Sequence, residues 1–118
     1  MNCMYNAVSA LGRSAYGRMV AMPEVNAVMR AAAAEVVAVA KASGIRLPDD
    51  IVETAMKLAD TMPQTMSSTA QDIAKGRATE IDYLNGYVVR KGASLGISTP
   101  TNLALQVMVK LRERSLGH

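Results

Sequence analysis

The chain contains no Phe, no Trp and only four Tyr. Half of its residues are hydrophobic, so a core has to be built from Ala, Val, Leu, Ile and nine Met. Ala and Met are good helix formers and poor strand signals. The composition therefore points to an all-α fold. At 118 residues, the length amounts to one domain spanning 1–118, with no room for a second. With 19% charged residues, the balance is globular rather than disordered.

Several function classes fall away early. The net charge is only +3, and Arg90-Lys91 is the one adjacent basic pair. A nucleic-acid footprint needs Lys and Arg gathered on one face, with aromatic rings between them for base stacking. Tyr83 and Tyr87 are the only rings near that pair, so no nucleic-acid partner is expected. A single cysteine, Cys3, excludes an intrachain disulfide and a multi-Cys metal site. The single histidine is the last residue, His118, which argues against a Ser-His-Asp triad or a His-based zinc site. No metal is expected. The N-terminus lacks a basic region followed by an apolar run. The most apolar stretch, Val25 to Ala42, is interrupted by Arg30, Glu35 and Lys41, too much charge for a membrane span. A cytoplasmic, reducing location is the default.

Periodicity and punctuation predict six helices. The first runs from about Asn2 to Tyr16, with Met4, Val8, Leu11 and Ala15 at helical spacing. Pro23 suits the first turn of a long second helix, where Glu24 favours the dipole. Val25, Val28, Met29, Ala32, Val36 and Val39 share one side of it, and Gly44 ends it. The Ala31 to Ala34 run lets a neighbouring helix approach closely. Asp49 or Asp50 can cap the third helix, which runs to about Thr61. Ser68 and Gln71 form a capping-box pattern for a short helix closing at Gly76. A fifth runs from Glu80 to about Leu95, where Gly86 at mid-helix costs about 1 kcal/mol against Ala. Thr99-Pro100 reads as a cap and first helical position for a last helix to about Arg114.

The polar residues within this apolar pattern are the candidates for chemistry. Asn2 and Asn6 stand four apart, so their amides share one helical face. They suit a substrate hydroxyl or carbonyl, and equally a solvated face or cap. Ser68 at a helix start is ordinarily a cap. Free N–H groups and the positive dipole end also make such a start a seat for a carboxylate. Glu80 at a helix start compensates the dipole, or orients an ammonium or hydroxyl of a ligand.

Taken together, three segments carry a more specific signal. Ser67-Ser68 is followed by Gln71-Asp72, Gly76-Arg77, Thr79-Glu80-Ile81-Asp82 and Asn85-Gly86. Gly96-Ile97 is followed by Pro100 and Asn102, and Asn2-Cys3 by Asn6. This order and spacing resemble the C-terminal domain of the ketopantoate reductases (2-dehydropantoate 2-reductases), across the whole chain. The resemblance implies a helical domain of the 6-phosphogluconate-dehydrogenase C-terminal type, which binds substrate and forms a homodimer. It further implies an N-terminal Rossmann domain, absent from these residues, that binds NADPH. The active site would lie between the two domains, where ketopantoate is reduced to pantoate for pantothenate synthesis. By the same resemblance Asn2 and Asn6 bind the substrate's polar groups and Ser68 its carboxylate end. Glu80 contacts the cofactor or supports the catalytic acid.

That acid is a Lys placed one turn before Asn2, outside the sequence. No Gly-x-Gly-x-x-Gly is present either. The 118 residues are therefore expected to bind no cofactor and to be inactive alone, as one piece of a larger NADPH-dependent enzyme. Two departures leave the 2-keto acid open: the family's Asn-Pro reads Asn6-Ala7, and its Asn-Gly reads Tyr16-Gly17. The alternative is a non-enzymatic helical module that self-associates through Met and Ala faces.

Overall fold

The computed structural model describes residues 21–61 and 81–115. They form four α-helices and one 3-10 turn, with no strand among them. Helix α1 is Pro23–Ala42, α2 is Ile51–Thr61, α3 is Asn85–Ser94 and α4 is Pro100–Ser115. The 3-10 turn, Ile81–Tyr83, precedes α3. The all-α fold and the boundaries of α1, α2 and α4 agree with the sequence reading. The helices expected over Asn2 to Tyr16 and Ser68 to Gly76 lie outside the described residues.

Helix α1 starts where proline chemistry allows. Pro23 occupies its first turn, and the Asn26 N–H reaches the Met22 carbonyl at 2.9 Å, so the missing proline N–H removes no helical bond. The face of α1 carrying Met29, Ala32 and Ala33 is fully buried, with Val39 nearly so. Two alanines in succession keep this face flat enough for close approach. Val28, expected on the same side, stands at the edge of the covered stripe and is 41% exposed.

Helices α1 and α3 end in the same way. Gly44 and Gly96 have positive φ, +83° and +73°. In each case the glycine N–H reaches back to the second-last helical residue. The following Ile N–H reaches two residues further, at 2.9 Å for Ile45 to Ala40 and 2.8 Å for Ile97 to Gly92. This paired arrangement satisfies the last carbonyls, and a side chain at the glycine position would strain it.

The stretch before α3 departs from expectation. Instead of one helix from Glu80, the chain makes the 3-10 turn, breaks at Leu84, and starts α3 at Asn85. The tighter turn brings residues three apart into line. Ile81 and Leu84 both face the core, while Tyr83 is 79% exposed. Gly86 consequently falls in the first turn of α3 rather than at mid-helix. Its lack of a side chain serves packing, since an added Cβ would lie 2.7 Å from Gln106 Nε2.

Two apolar clusters hold the described helices together. Ala32 of α1, Ile81 of the turn, and Leu105 and Val109 of α4 form the first. Val39 and Val88 form the second, with Val36, Leu84 and Ile97 against them. Gly92 marks the closest approach: an added Cβ would sit 2.9 Å from the Ile97 carbonyl oxygen and 2.9 Å from Thr99 Cγ2. Backbone cannot yield as a flexible side chain can, so Gly92→Ala should destabilise the fold by about 1–3 kcal/mol. Urea denaturation followed by circular dichroism measures this. An unchanged midpoint would mean that the helices separate freely at this crossing.

Between α1 and α2, Arg30 donates to both carboxylate oxygens of Glu53 and, through Nε, to Asn26 Oδ1 at 2.8 Å. This pair is solvent-exposed and contributes little to stability.

Candidate functional site

The four residues singled out from sequence, Asn2, Asn6, Ser68 and Glu80, all lie outside the described residues. The structure does describe the segment directly after Glu80, and the Gly96-to-Asn102 segment that resembles the same family. It brings these two together around a buried polar network.

Asn102, in the first turn of α4, is fully buried, as is Asn85 at the start of α3. Asn85 Nδ2 donates to Asn102 Oδ1 at 3.0 Å. Asn102 Nδ2 donates to the Ala32 carbonyl of α1 at 3.1 Å and to Glu35 Oε1 at 2.8 Å. The Glu35 carboxylate also accepts backbone N–H bonds from Thr101 and Asn102, each at 2.9 Å. These are among the first N–H groups of α4, which have no partner within their own helix. A carboxylate there also meets the positive end of the helix dipole.

The capping of α4 thus differs from the sequence reading. Thr99 takes the cap position, its carbonyl accepting the Leu103 N–H at 3.0 Å. The side chain that satisfies the next two N–H groups, however, is Glu35, from a helix 66 residues earlier. Sequence reasoning treated Glu35 only as a charge that interrupts an apolar run. A usable signal existed: Glu35 follows Ala32 by three and precedes Val39 by four, so it lies on the buried face of α1.

A second contact ties the 3-10 turn to α4. Asp82 accepts from Gln106 Nε2 at 2.8 Å and from Lys110 Nζ at 3.2 Å. The Gln106 hydrogen bond, and then the Lys110 ammonium, hold the Asp82 carboxyl below its ordinary value of 3.8. A lowered carboxyl stabilises the fold above its unfolded value and loses that contribution as pH falls through its folded value. The stability difference between the wild type and Asp82→Asn should therefore be level above about pH 5 and shrink as pH drops below 3.8. Asp82 is 47% exposed at its side chain, so solvent screening keeps the difference small. Denaturation midpoints at pH 7, 5 and 3 test the sign. A difference that grows on acidification would show that another group governs the turn.

Chemically, the network positions rather than reacts. Asn85 and Asn102 lie inside the packed helices with Glu35 part-buried beside them, and Ile81 is 1% exposed in the first cluster. The 81–85 segment is thus held at Ile81 by packing, at Asp82 by α4, and at Asn85 by Asn102. Its preceding residue is Glu80. Among the described residues no group of three or more His, Cys, Asp or Glu could hold a metal. No helix among them is long and apolar enough to cross a membrane.

This helical arrangement matches part of two solved oxidoreductase structures. It matches a D-mandelate dehydrogenase solved with NADH and anilino(oxo)acetate, with TM-score 0.91, 26% identity, and coverage of 99% of this chain and 51% of that one. It also matches the PanE/ApbA family ketopantoate reductase from Ralstonia eutropha, with TM-score 0.94, 49% identity, and coverage of 99% and 39%.

Residues 1–113 match the family model described as ketopantoate reductase PanE/ApbA C terminal, and the chain belongs to that family. The 2-dehydropantoate 2-reductase of Pyrobaculum aerophilum is 39% identical over 113 residues, covering 96% of this chain and 40% of that protein. That of Vibrio cholerae is 37% identical over 116 residues, covering 98% and 39%. The chain thus spans about two fifths of the length of these relatives.

Proposed function

We propose that this chain is the substrate-binding and dimerising domain of an NADPH-dependent 2-keto acid reductase of the 2-dehydropantoate 2-reductase kind. The family match over residues 1–113 carries this reading. Its relatives bear the name of that enzyme, among them one 39% identical over 113 residues. Asn2 and Asn6 bind the substrate's polar groups, Ser68 its carboxylate, and Glu80 serves the reacting end. The buried Asn85–Asn102–Glu35 network supports the reading by holding the segment that follows Glu80.

The described residues do not fit a dinucleotide site. Such a site needs a strand, a glycine-rich turn and a helix N-terminus whose N–H groups cradle the pyrophosphate. The two glycine turns here follow the C-terminal ends of helices, where carbonyls rather than N–H groups are presented. NADPH is accordingly assigned to a separate N-terminal domain, and the 118 residues alone are expected to be inactive. A cytoplasmic location and a homodimer complete the proposal. Leu103, Val107, Met108 and Leu111 form an exposed apolar stripe on α4, between 47% and 66% accessible, a surface suited to a second copy.

The test is to read the native gene upstream of Met1. A Gly-x-Gly-x-x-Gly about one domain length before it, and an in-frame Lys four residues before Asn2, would support the reductase. NADPH oxidation with ketopantoate would then be assayed on the full protein. A stop codon directly upstream would favour the self-association module, for which the α4 stripe is the supporting observation.

A further inference from the structure

The connection between α1 and α2 is undercut on both sides. Ile45, Leu47 and Ile51 line two separate cavities, of about 320 and 300 Å³. Three apolar side chains that close neither space leave this strap incompletely packed, and Ile45 is 57% exposed. The cavity of about 300 Å³ lies between the last turns of α1 and the Tyr87–Lys91 stretch of α3, against Val39 and Val88. Among the described residues its lining is aliphatic apart from Ser43, Tyr87 and Lys91, and none of them is acidic.

Those three polar residues are not equivalent. The Ser43 hydroxyl donates to the Val39 carbonyl at 2.8 Å, so its proton is already committed. Tyr87 and Lys91 stand four apart on α3, which places a phenol and an ammonium on one side of the helix. Lys91 has no carboxylate partner among the described residues, unlike Arg30 with Glu53 and Lys110 with Asp82. A lysine in a last helical turn offsets the helix dipole, but that role needs no apolar cavity in front of it. An apolar cleft with a cation and a hydroxyl donor at its rim suits a ligand with an aliphatic body and one anionic end.

We propose that this cavity binds an aliphatic monocarboxylate of medium chain length. The tail lies against Val39, Val88 and the Ile45–Leu47–Ile51 strap. The carboxylate accepts from the Lys91 ammonium and the Tyr87 hydroxyl. The proposal rests on these described residues alone and stands whether or not the chain serves a keto acid reductase. Occupation would complete the packing of the strap between α1 and α2.

The test is a methyl-detected NMR titration of the chain with sodium octanoate, without cofactor or keto acid. Saturable shifts confined to the methyls of Val39, Val88, Ile45, Leu47 and Ile51 are expected. Lys91→Glu should weaken octanoate at least about tenfold, the loss expected for one charge-assisted contact, and should improve binding of octylammonium. Tyr87→Phe, which keeps the ring, provides a milder second variant and should weaken octanoate by a smaller factor. Absent or non-saturating shifts, shifts centred elsewhere, or unchanged octanoate affinity in both variants would overturn the proposal.

Discussion

Glu80→Ala, made in a protein that carries this chain together with the proposed dinucleotide-binding domain, is expected to lower turnover at least about tenfold. Groups that move or support a proton at a reacting centre typically contribute factors of about a hundred or more. In the proposed reaction the carbonyl oxygen gains negative charge as the keto carbon is reduced, and the Lys before Asn2 protonates it. The role proposed for Glu80 is to keep that acid and the cofactor hydroxyls in order, so its loss should appear in kcat more than in KM. Steady-state NADPH oxidation against keto acid concentration separates the two. Unchanged kinetics would remove Glu80 from the mechanism while leaving the family membership untouched.

Asn102→Leu should destabilise the fold by about 3–5 kcal/mol, because a buried hydrogen-bonding network loses its central member. The apolar side chain removes the acceptor for Asn85 Nδ2 and the donor to the Ala32 carbonyl. It also strips one hydrogen bond from Glu35, whose carboxylate stays committed to the first turn of α4. Against a typical total stability of about 5–15 kcal/mol, this is a large fraction. Gln106→Ala provides the contrast: it removes a part-buried bond to Asp82, and its effect should stay near 1 kcal/mol. Urea titrations of both variants decide between a central and a peripheral role for the buried amides. Equal, small losses would show that the network relaxes around the missing group.

The candidate site was legible in the sequence chiefly as a pattern. Asn85 and Asn102 were visible as motif members, yet nothing local revealed that one side chain donates to the other across 17 residues. Glu35 was harder still. A glutamate inside an apolar run reads as a charge to be tolerated, and its role exists only once α4 is brought end-on to α1. Asp82 shows the same limit, because its partners Gln106 and Lys110 are contributed by a different helix. Asn2, Asn6, Ser68 and Glu80 owe their proposed roles to the family resemblance, and all four lie outside the described residues.

What the sequence determined by itself follows from short-range chemistry. The all-α class came from the lack of large aromatics and the abundance of Ala and Met. The ends of α1, α2 and α4 came from Pro23, Gly44, the Asp49-Asp50 pair and Pro100, residues whose preferences act within one turn of their own position. Tertiary structure alone decided the break at Leu84, the placing of Gly86 against Gln106, and the capping of α4 by Glu35. Each depends on which side chains meet across helices. A propensity sums over near neighbours, whereas a buried amide or carboxylate settles where its distant partners satisfy it.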